Sequence, residues 1–293
     1  MTIPTIATYA MPQPAEFPKN KTAWQPEPDR AVFLIHDMQR YFLRFYDADC
    51  DLVRNLIANL AAVKGWCAAN GVPVVYTAQP HDQPASDRAL LNDMWGPGLT
   101  KADPALQSVV AGLEPGDGDI VLTKWRYSAF QRSNLKAMMA EWGRDQLLIG
   151  GVYAHIGCMV TALDAFMNDI QPFVIGDALA DFSRAEHEMA LTYVATRCGA
   201  LVDTAALVGA GEEKTLGDWL EARILSLIED ETDAIDETEN LIMYGLDSIA
   251  VMTIAAELKA RGVSVGFDEL ARIPTLAAWR ELIDKKRTQS LAA

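Results

Sequence analysis

The sequence predicts an α/β protein, a doubly wound and mostly parallel sheet, followed by a small all-α four-helix bundle. Three observations predict it. Short β-branched runs alternate with longer helical patterns up to Val208 in a chain of 293 residues. The runs are apolar throughout, as in Val-Phe-Leu-Ile and Gln-Leu-Leu-Ile, which is how strands buried on both faces look. From Leu216 onward every periodic segment is helical.

The elements follow in order. Residues 1–28 carry Pro4, Pro12, Pro14 and Pro18 and no apolar stretch of the secretory kind, so they read as an extended N-terminal arm across the domain surface. Strands are expected at 31–38, 72–79, 119–125, 146–153, 171–178 and 200–204. Helices are expected between them at 51–70, 134–142, 157–169 and 183–196, with Asn70-Gly71 as a stop signal. Alternation of this kind implies parallel βαβ units with right-handed crossovers. Small and charged residues at 209–215 replace the apolar period and suit a linker between a first domain, 1–208, and a second, 216–288. In the second, helices are expected at 216–228, 248–261 and 275–286.

Composition narrows the function classes. A formal charge of −15 repels nucleic acid and anionic membrane. No apolar run approaches the ~20 residues of a membrane span. Cys50, Cys67, Cys158 and Cys198 form no CxxC, which fits free thiols in a reducing, cytoplasmic compartment.

In open parallel sheets ligands bind beyond the carboxyl ends of the strands. Three predicted strands end in polar tips: His36-Asp37-Met38-Gln39, Thr123-Lys124-Trp125-Arg126-Tyr127-Ser128, and Gly150-Gly151-Val152-Tyr153-Ala154-His155-Ile156-Gly157-Cys158. Asp37 and Lys124 form a candidate acid/base or anion-binding pair; a structural ion pair is the plain alternative. These tips, with the Asp-Ala-Leu-Ala-Asp-Phe-Ser run at 177–183, resemble the isochorismatase-type hydrolases of catechol siderophore pathways. The wider superfamily uses an Asp-Lys-Cys triad. Here Gly157 falls on the cysteine's position and Cys158 comes one residue late. One helical step turns a side chain by about 100°, so Cys158 is expected to point away as a buried, inert thiol.

The resemblance implies a Rossmann-like isochorismatase fold and hydrolysis of isochorismate to pyruvate and 2,3-dihydro-2,3-dihydroxybenzoate, without a metal. Asp37 is the expected general acid and must be neutral to donate; Lys124 is expected to hold a substrate carboxylate. Gln79, Arg88, Tyr153 and Gly157 match the family's site by motif. Phe42 and Trp95 are expected to wall the ring, with ordinary packing as their alternative. Val152–Tyr153 is a candidate non-proline cis peptide. His155 has no second ligand at metal spacing in the sequence and is assigned a structural hydrogen bond. His36 is expected on the side of its strand opposite Asp37. Asp177, Asp181 and His187 suggest a hydrolytic cluster, but solvent-facing caps explain them as well.

Farther on, Tyr244-Gly245-Leu246-Asp247-Ser248-Ile249 precedes an apolar helix, and Ile273-Pro274-Thr275 opens the last one. Asp247 can cap the helix that Ser248 begins. The layout from 216 to 286 resembles aryl carrier proteins fused behind isochorismatases. It implies 4′-phosphopantetheine on Ser248, added by a phosphopantetheinyl transferase, then a dihydroxybenzoate-adenylating enzyme and a downstream condensation enzyme as partners. Ile249 and Met252 are expected to face those partners. The acidic run 229–233, with Asp236, Glu237 and Glu239, reads either as a solvated loop or as steering for basic partners. A homo-oligomer is compatible with the sequence. Two other functions stay open: a nicotinamidase-like amidohydrolase using Cys158, and a carrier or scaffold whose hydrolase half is inactive.

Overall fold

A computed structural model of the protein describes residues 3–47, 49–209, 216–228, 235–260 and 263–291. The chain divides into two compact units, Met1–Gly211 and Glu212–Ala293. From residue 210 on, the expected linker lies outside the described residues, as does the acidic run 229–233.

All six expected strands form in the first unit: β1 (Ala31–His36), β2 (Val74–Ala78), β3 (Ile120–Thr123), β4 (Gln146–Val152), β5 (Gln171–Ala180) and β6 (Ala200–Val202). They make one parallel sheet in the order β3-β2-β1-β4-β5-β6. The most apolar runs, β1 and β4, are central and wholly buried, while edge strand β3 leaves Val121 half exposed. Strand alternation sorts the core into two layers. Phe33 and Ile35 pack with Leu56, Leu60 and Val63 of the Asp51–Ala69 helix. Val32 and Leu34 face the other way, onto Met138 and Met139, Ala162 and Ala165, and Leu191, from three more helices.

The winding reverses between β1 and β4, whose carboxyl ends therefore open a crevice. Close approach of these ends requires Gly151: its φ is +123°, and a Cβ there would overlap the His36 carbonyl. Residues 81–107, for which no helix is expected, hold four short helical turns, including Ala85–Arg88 and Leu91–Trp95. Each is too short to show a 3.6-residue period.

The arm lies across the first unit and is tied down along its length. Ile6 is buried and donates its N–H to the Phe45 carbonyl at 2.7 Å. Asn20 bonds both the N–H and the carbonyl of Leu201, at 2.8 and 2.9 Å.

The second unit is helical, with Leu216–Leu225, Ser248–Ala260, Phe267–Arg272 and Leu276–Leu291 around one core. Leu220, Ile224, Ile254, Leu258 and Trp279 are among its buried residues, and Trp279 Nε1 donates to the Leu270 carbonyl at 2.8 Å.

Candidate active site

A cavity sits at the β1/β4 switch point, beyond the carboxyl ends of the strands, where open α/β sheets place their ligands. Asp37, Phe42, Gln79, Arg88, Trp95, Lys124, Tyr153 and Gly157 all line it, so the eight candidates of the first unit come together.

Asp37 ends β1 in the left-handed region, with φ +51°, a conformation that Asp tolerates better than most residues. That turn delivers its carboxylate to two donors. Lys124 Nζ lies 2.6 Å from Oδ2, and Thr77 Oγ1 donates to Oδ1 at 2.9 Å. The pair is nearly closed off from solvent, with side chains 8 % and 4 % exposed. Lys124 thus meets Asp37 directly in the free protein. The same turn corrects the expectation for His36. Strand parity puts its ring on the Val32–Leu34 side, yet Nδ1 stands 3.7 Å from Asp37 Oδ2 because the chain has left the strand at Asp37.

The Val152–Tyr153 peptide is cis, as expected. Beyond it the chain makes one π-helical turn, Ala154–Cys158, before the Met159–Met167 helix. Gly157 faces the cavity. Cys158 packs in the opposite core layer with Leu34 and Ile149, fully buried, and burial pushes its thiol well above the usual range. A buried thiol held protonated is a poor nucleophile.

Arg88 is buried; its Nη1 donates to Gln79 Oε1 at 3.2 Å and its Nε to the Gly96 carbonyl at 3.1 Å. Burial lowers its pKa, but a guanidinium keeps its charge. The Tyr153 hydroxyl donates to the Phe42 carbonyl at 2.8 Å, which leaves it an acceptor for a ligand. Phe42 and Tyr153 meet edge to face, and Trp95 Nε1 donates to the Tyr127 hydroxyl at 2.8 Å.

Several residues that line or support the site escaped the sequence reading. Tyr127 and Arg126 were visible in the motif after β3. Phe182 was visible in the 177–183 run, and Thr77 as a hydroxyl in an otherwise apolar strand. Ile3, from the arm, carries no signal.

Asp181 and His187 are fully buried, against the expectation of solvent-facing caps. Asp181 accepts from the His155 backbone N–H at 2.6 Å and pairs with His155 Nδ1 at 2.6 Å. Burial opposes charge on His155, but that bond and Asp181's charge outweigh it and raise the pKa. His155 has the structural bond expected of it. Carboxylates nevertheless do lie at ligand distance, since donor atoms of His155, Asp181 and Glu186 fall within 4.8 Å of one another. They already bond one another or Ser183, whose Oγ is 2.7 Å from Glu186. His187 Nε2 bonds the Gly176 carbonyl at 3.0 Å and must donate, so Nδ1 accepts from the Tyr9 hydroxyl at 3.1 Å. That hydroxyl in turn accepts from the Asp181 N–H at 2.8 Å. Only Asp177 behaves as a cap: half-buried, it accepts from the Thr204 N–H and hydroxyl at 2.9 and 2.8 Å.

In the second unit, Gly245 takes φ +86° to turn the chain into Leu246-Asp247-Ser248. Asp247 Oδ1 caps the helix by accepting from the Ala250 N–H at 2.7 Å. Ser248 is exposed at its first position, beside the exposed apolar side chains of Ile242, Met243, Ile249 and Met252. An exposed hydroxyl on a rigid capped turn fits a covalently attached arm.

Comparison with known proteins agrees with this division. Residues 31–206 match the family described as Isochorismatase domain, and 218–283 match Phosphopantetheine attachment site. Enterobactin synthase component B of Escherichia coli (strain K12) is 50 % identical over 286 residues, covering 98 % of this chain and 99 % of that protein. A Bacillus subtilis (strain 168) protein named Isochorismatase is 45 % identical over 307 residues, covering 99 % and 98 %. Among solved structures, a cysteine hydrolase from Pseudomonas syringae pv. phaseolicola 1448A superposes with TM-score 0.60 over 67 % of this chain and 97 % of its own; at 21 % identity it supports the fold alone. With half its residues shared across nearly the whole length of a curated relative, this chain belongs to the isochorismatase family and carries a phosphopantetheine attachment domain behind the hydrolase domain.

Proposed function

We propose that this chain is a bifunctional isochorismatase and aryl carrier protein of siderophore synthesis, with the hydrolase in 1–208 and the carrier in 216–288. It hydrolyses isochorismate to 2,3-dihydro-2,3-dihydroxybenzoate and pyruvate, and it presents an activated aryl group on Ser248. The observation that carries the hydrolase reading is the buried Asp37–Lys124 pair, facing a cavity whose nucleophile position is occupied by Gly157.

An enol ether needs a proton on carbon, not a nucleophile. Asp37, carrying a proton, donates it to the terminal CH₂ of the enolpyruvyl group. The ether-bearing carbon becomes an oxocarbenium ion, water adds there, and its spare proton returns to Asp37. The resulting hemiketal collapses as its hydroxyl proton passes to the ring oxygen, which breaks the C–O bond and releases pyruvate and the ring alcohol. A lysine ammonium has three donors. One is on Asp37, and the others serve a substrate carboxylate, so the incoming dianion draws the Lys124 charge to itself and favours the proton on Asp37. Arg88 can meet a carboxylate with a forked contact, and Gln79 holds Arg88 in place. Phe42 and Trp95 wall the ring, and Tyr153 and Gly157 complete the floor.

Ser248 Oγ holds 4′-phosphopantetheine, which supplies a thiol for carrying an acyl group. A phosphopantetheinyl transferase, a dihydroxybenzoate-adenylating enzyme and a condensation enzyme are its partners, and the cytoplasm is its compartment. Among the described residues no helix is long and apolar enough to cross a membrane.

Pyruvate release from isochorismate by the purified protein, read through lactate dehydrogenase, is the deciding assay. Stoichiometric pyruvate and dihydroxy acid are expected; a folded protein releasing none would sink the hydrolase reading.

A further inference from the structure

We propose that His36 is the specificity-determining residue that keeps position 157 free of any side chain, and so holds this cavity to water-based cleavage rather than thiol chemistry. The imidazole occupies the space into which a side chain at 157 would project. A Cβ built on Gly157 would overlap His36 Cε1 and lie 2.8 and 2.9 Å from Nε2 and Nδ1. Every other amino acid begins with that carbon, so the ring excludes all of them, cysteine included.

The ring cannot step aside. It is fully buried at the end of β1, with Nδ1 3.0 Å from the Val152 carbonyl and Nε2 3.3 Å from the Tyr127 carbonyl. Those carbonyls belong to the end of β4 and the segment after β3, so one hydrogen bond and close packing against both segments hold its plane. Burial, and then the Lys124 charge, push His36 down to about 4, so the ring is neutral near pH 7 and adds no charge to the Asp37–Lys124 pair beside it. A neutral ring donates to one carbonyl only, and Val152 is the nearer. His36 therefore acts through Gly157 as a positioning residue. The neighbouring Cys158 cannot substitute, being turned into the opposite core layer.

What the cavity is used for rests on the function proposed above; the fit of ring against glycine does not, and its test needs no isochorismate. Gly157→Cys alone is expected to lower the Tm of the hydrolase unit by at least about 5 °C, because an overpacked core must shift. His36→Ala removes the obstacle, so His36→Ala/Gly157→Cys should be more stable than Gly157→Cys, a rescue that additive damage cannot give. In the double variant iodoacetamide should alkylate the thiol at 157 in the native protein, under conditions that leave Cys158 unmodified, as mapped by peptide mass. Gly157→Cys as stable as the parent, a double variant no more stable than Gly157→Cys, or a stable double variant with an unreactive thiol at 157 would each overturn the proposal. Should the His36 variants fail to fold, the parent itself decides. Selectively labelled protein should show a nuclear Overhauser contact between the His36 Hε1 and the Gly157 α-protons, and its absence refutes the packing.

Discussion

Asp37→Asn tests the proposed acid most sharply, because it changes one atom and should move two observables. The amide keeps the carboxylate's shape but removes both the transferable proton and the negative charge facing Lys124. Loss of a placed general acid typically costs ~10²–10⁴ in rate, or about 3–5 kcal/mol of barrier. Lys124 Nζ lies 2.6 Å from Asp37 Oδ2 with the lysine side chain only 4 % exposed, so the variant strands a buried ammonium. Breaking a buried pair by removing one partner costs roughly 3–5 kcal/mol. In a domain of this size that is about 6–20 °C in Tm.

Because instability alone lowers activity, the rate is to be measured well below the variant's Tm and normalised to folded protein. Asp37→Asn/Lys124→Met separates the two effects. An apolar replacement for the cation removes the stranded charge, so the double variant should recover most of the lost stability and none of the lost turnover. If folded Asp37→Asn releases pyruvate within fivefold of the parent rate, Asp37 is not the acid. If its Tm is unchanged, the pair is not the buried contact described.

Three further outcomes are expected. Ser248→Ala should abolish the mass increment of one phosphopantetheine in the presence of a transferase while leaving pyruvate release at the parent rate; modification elsewhere in the chain would refute the assignment. His36 and His187 sit in the fold at about 4 against an ordinary 6.5, so the unfolded chain takes up protons first. Their contribution is full above pH 6.5 and disappears as pH falls toward 4, on the order of 3 kcal/mol each. A Tm that is flat between pH 7 and 4.5 would contradict that. His155, with its raised pKa, contributes in the opposite sense: its stabilisation is full below pH 6.5 and is lost as pH rises through its folded value. Tyr9→Phe leaves the Asp181 N–H and His187 Nδ1 without their shared hydroxyl, which costs about 1–3 kcal/mol and should expose the arm to limited proteolysis; an unchanged Tm and cleavage pattern would refute a role for that hydroxyl in holding the arm.

What the sequence made legible was periodic or chemically marked. Both-face burial of β1 and β4 is written in their unbroken apolar runs, and Asp37 and Lys124 stand out as charges at the ends of such runs. Residues that act through a single tertiary contact were not legible. Asp181 and His187 look like ordinary polar residues at a helix start until the sheet brings Tyr9 and His155 to them. Arg88 was found by motif, but the one-turn helices carrying it and Trp95 have no period to detect. Strand parity misplaced His36 relative to Asp37 because parity ends where φ turns positive, and nothing in the sequence announced a left-handed aspartate.

The same comparison explains why one residue of offset decides the chemistry. Gly157 lines the cavity with Asp37 and Lys124 and brings no side chain to it, whereas the thiol of Cys158 lies in the opposite core layer. At the nucleophile position the cavity therefore has a glycine, and beside it the Asp37 carboxyl and the Lys124 ammonium, a set that fits the proposed protonation of an enol ether better than an acyl intermediate. A product released this way is a free dihydrodiol acid. It needs an oxidation and an activation before any thiol can accept it, so the carrier is not a continuation of the active site. The burial of the two functional groups agrees. Asp37 is closed into a cavity suited to a small diffusing acid, while Ser248 stands in the open, where an attached arm has room to move.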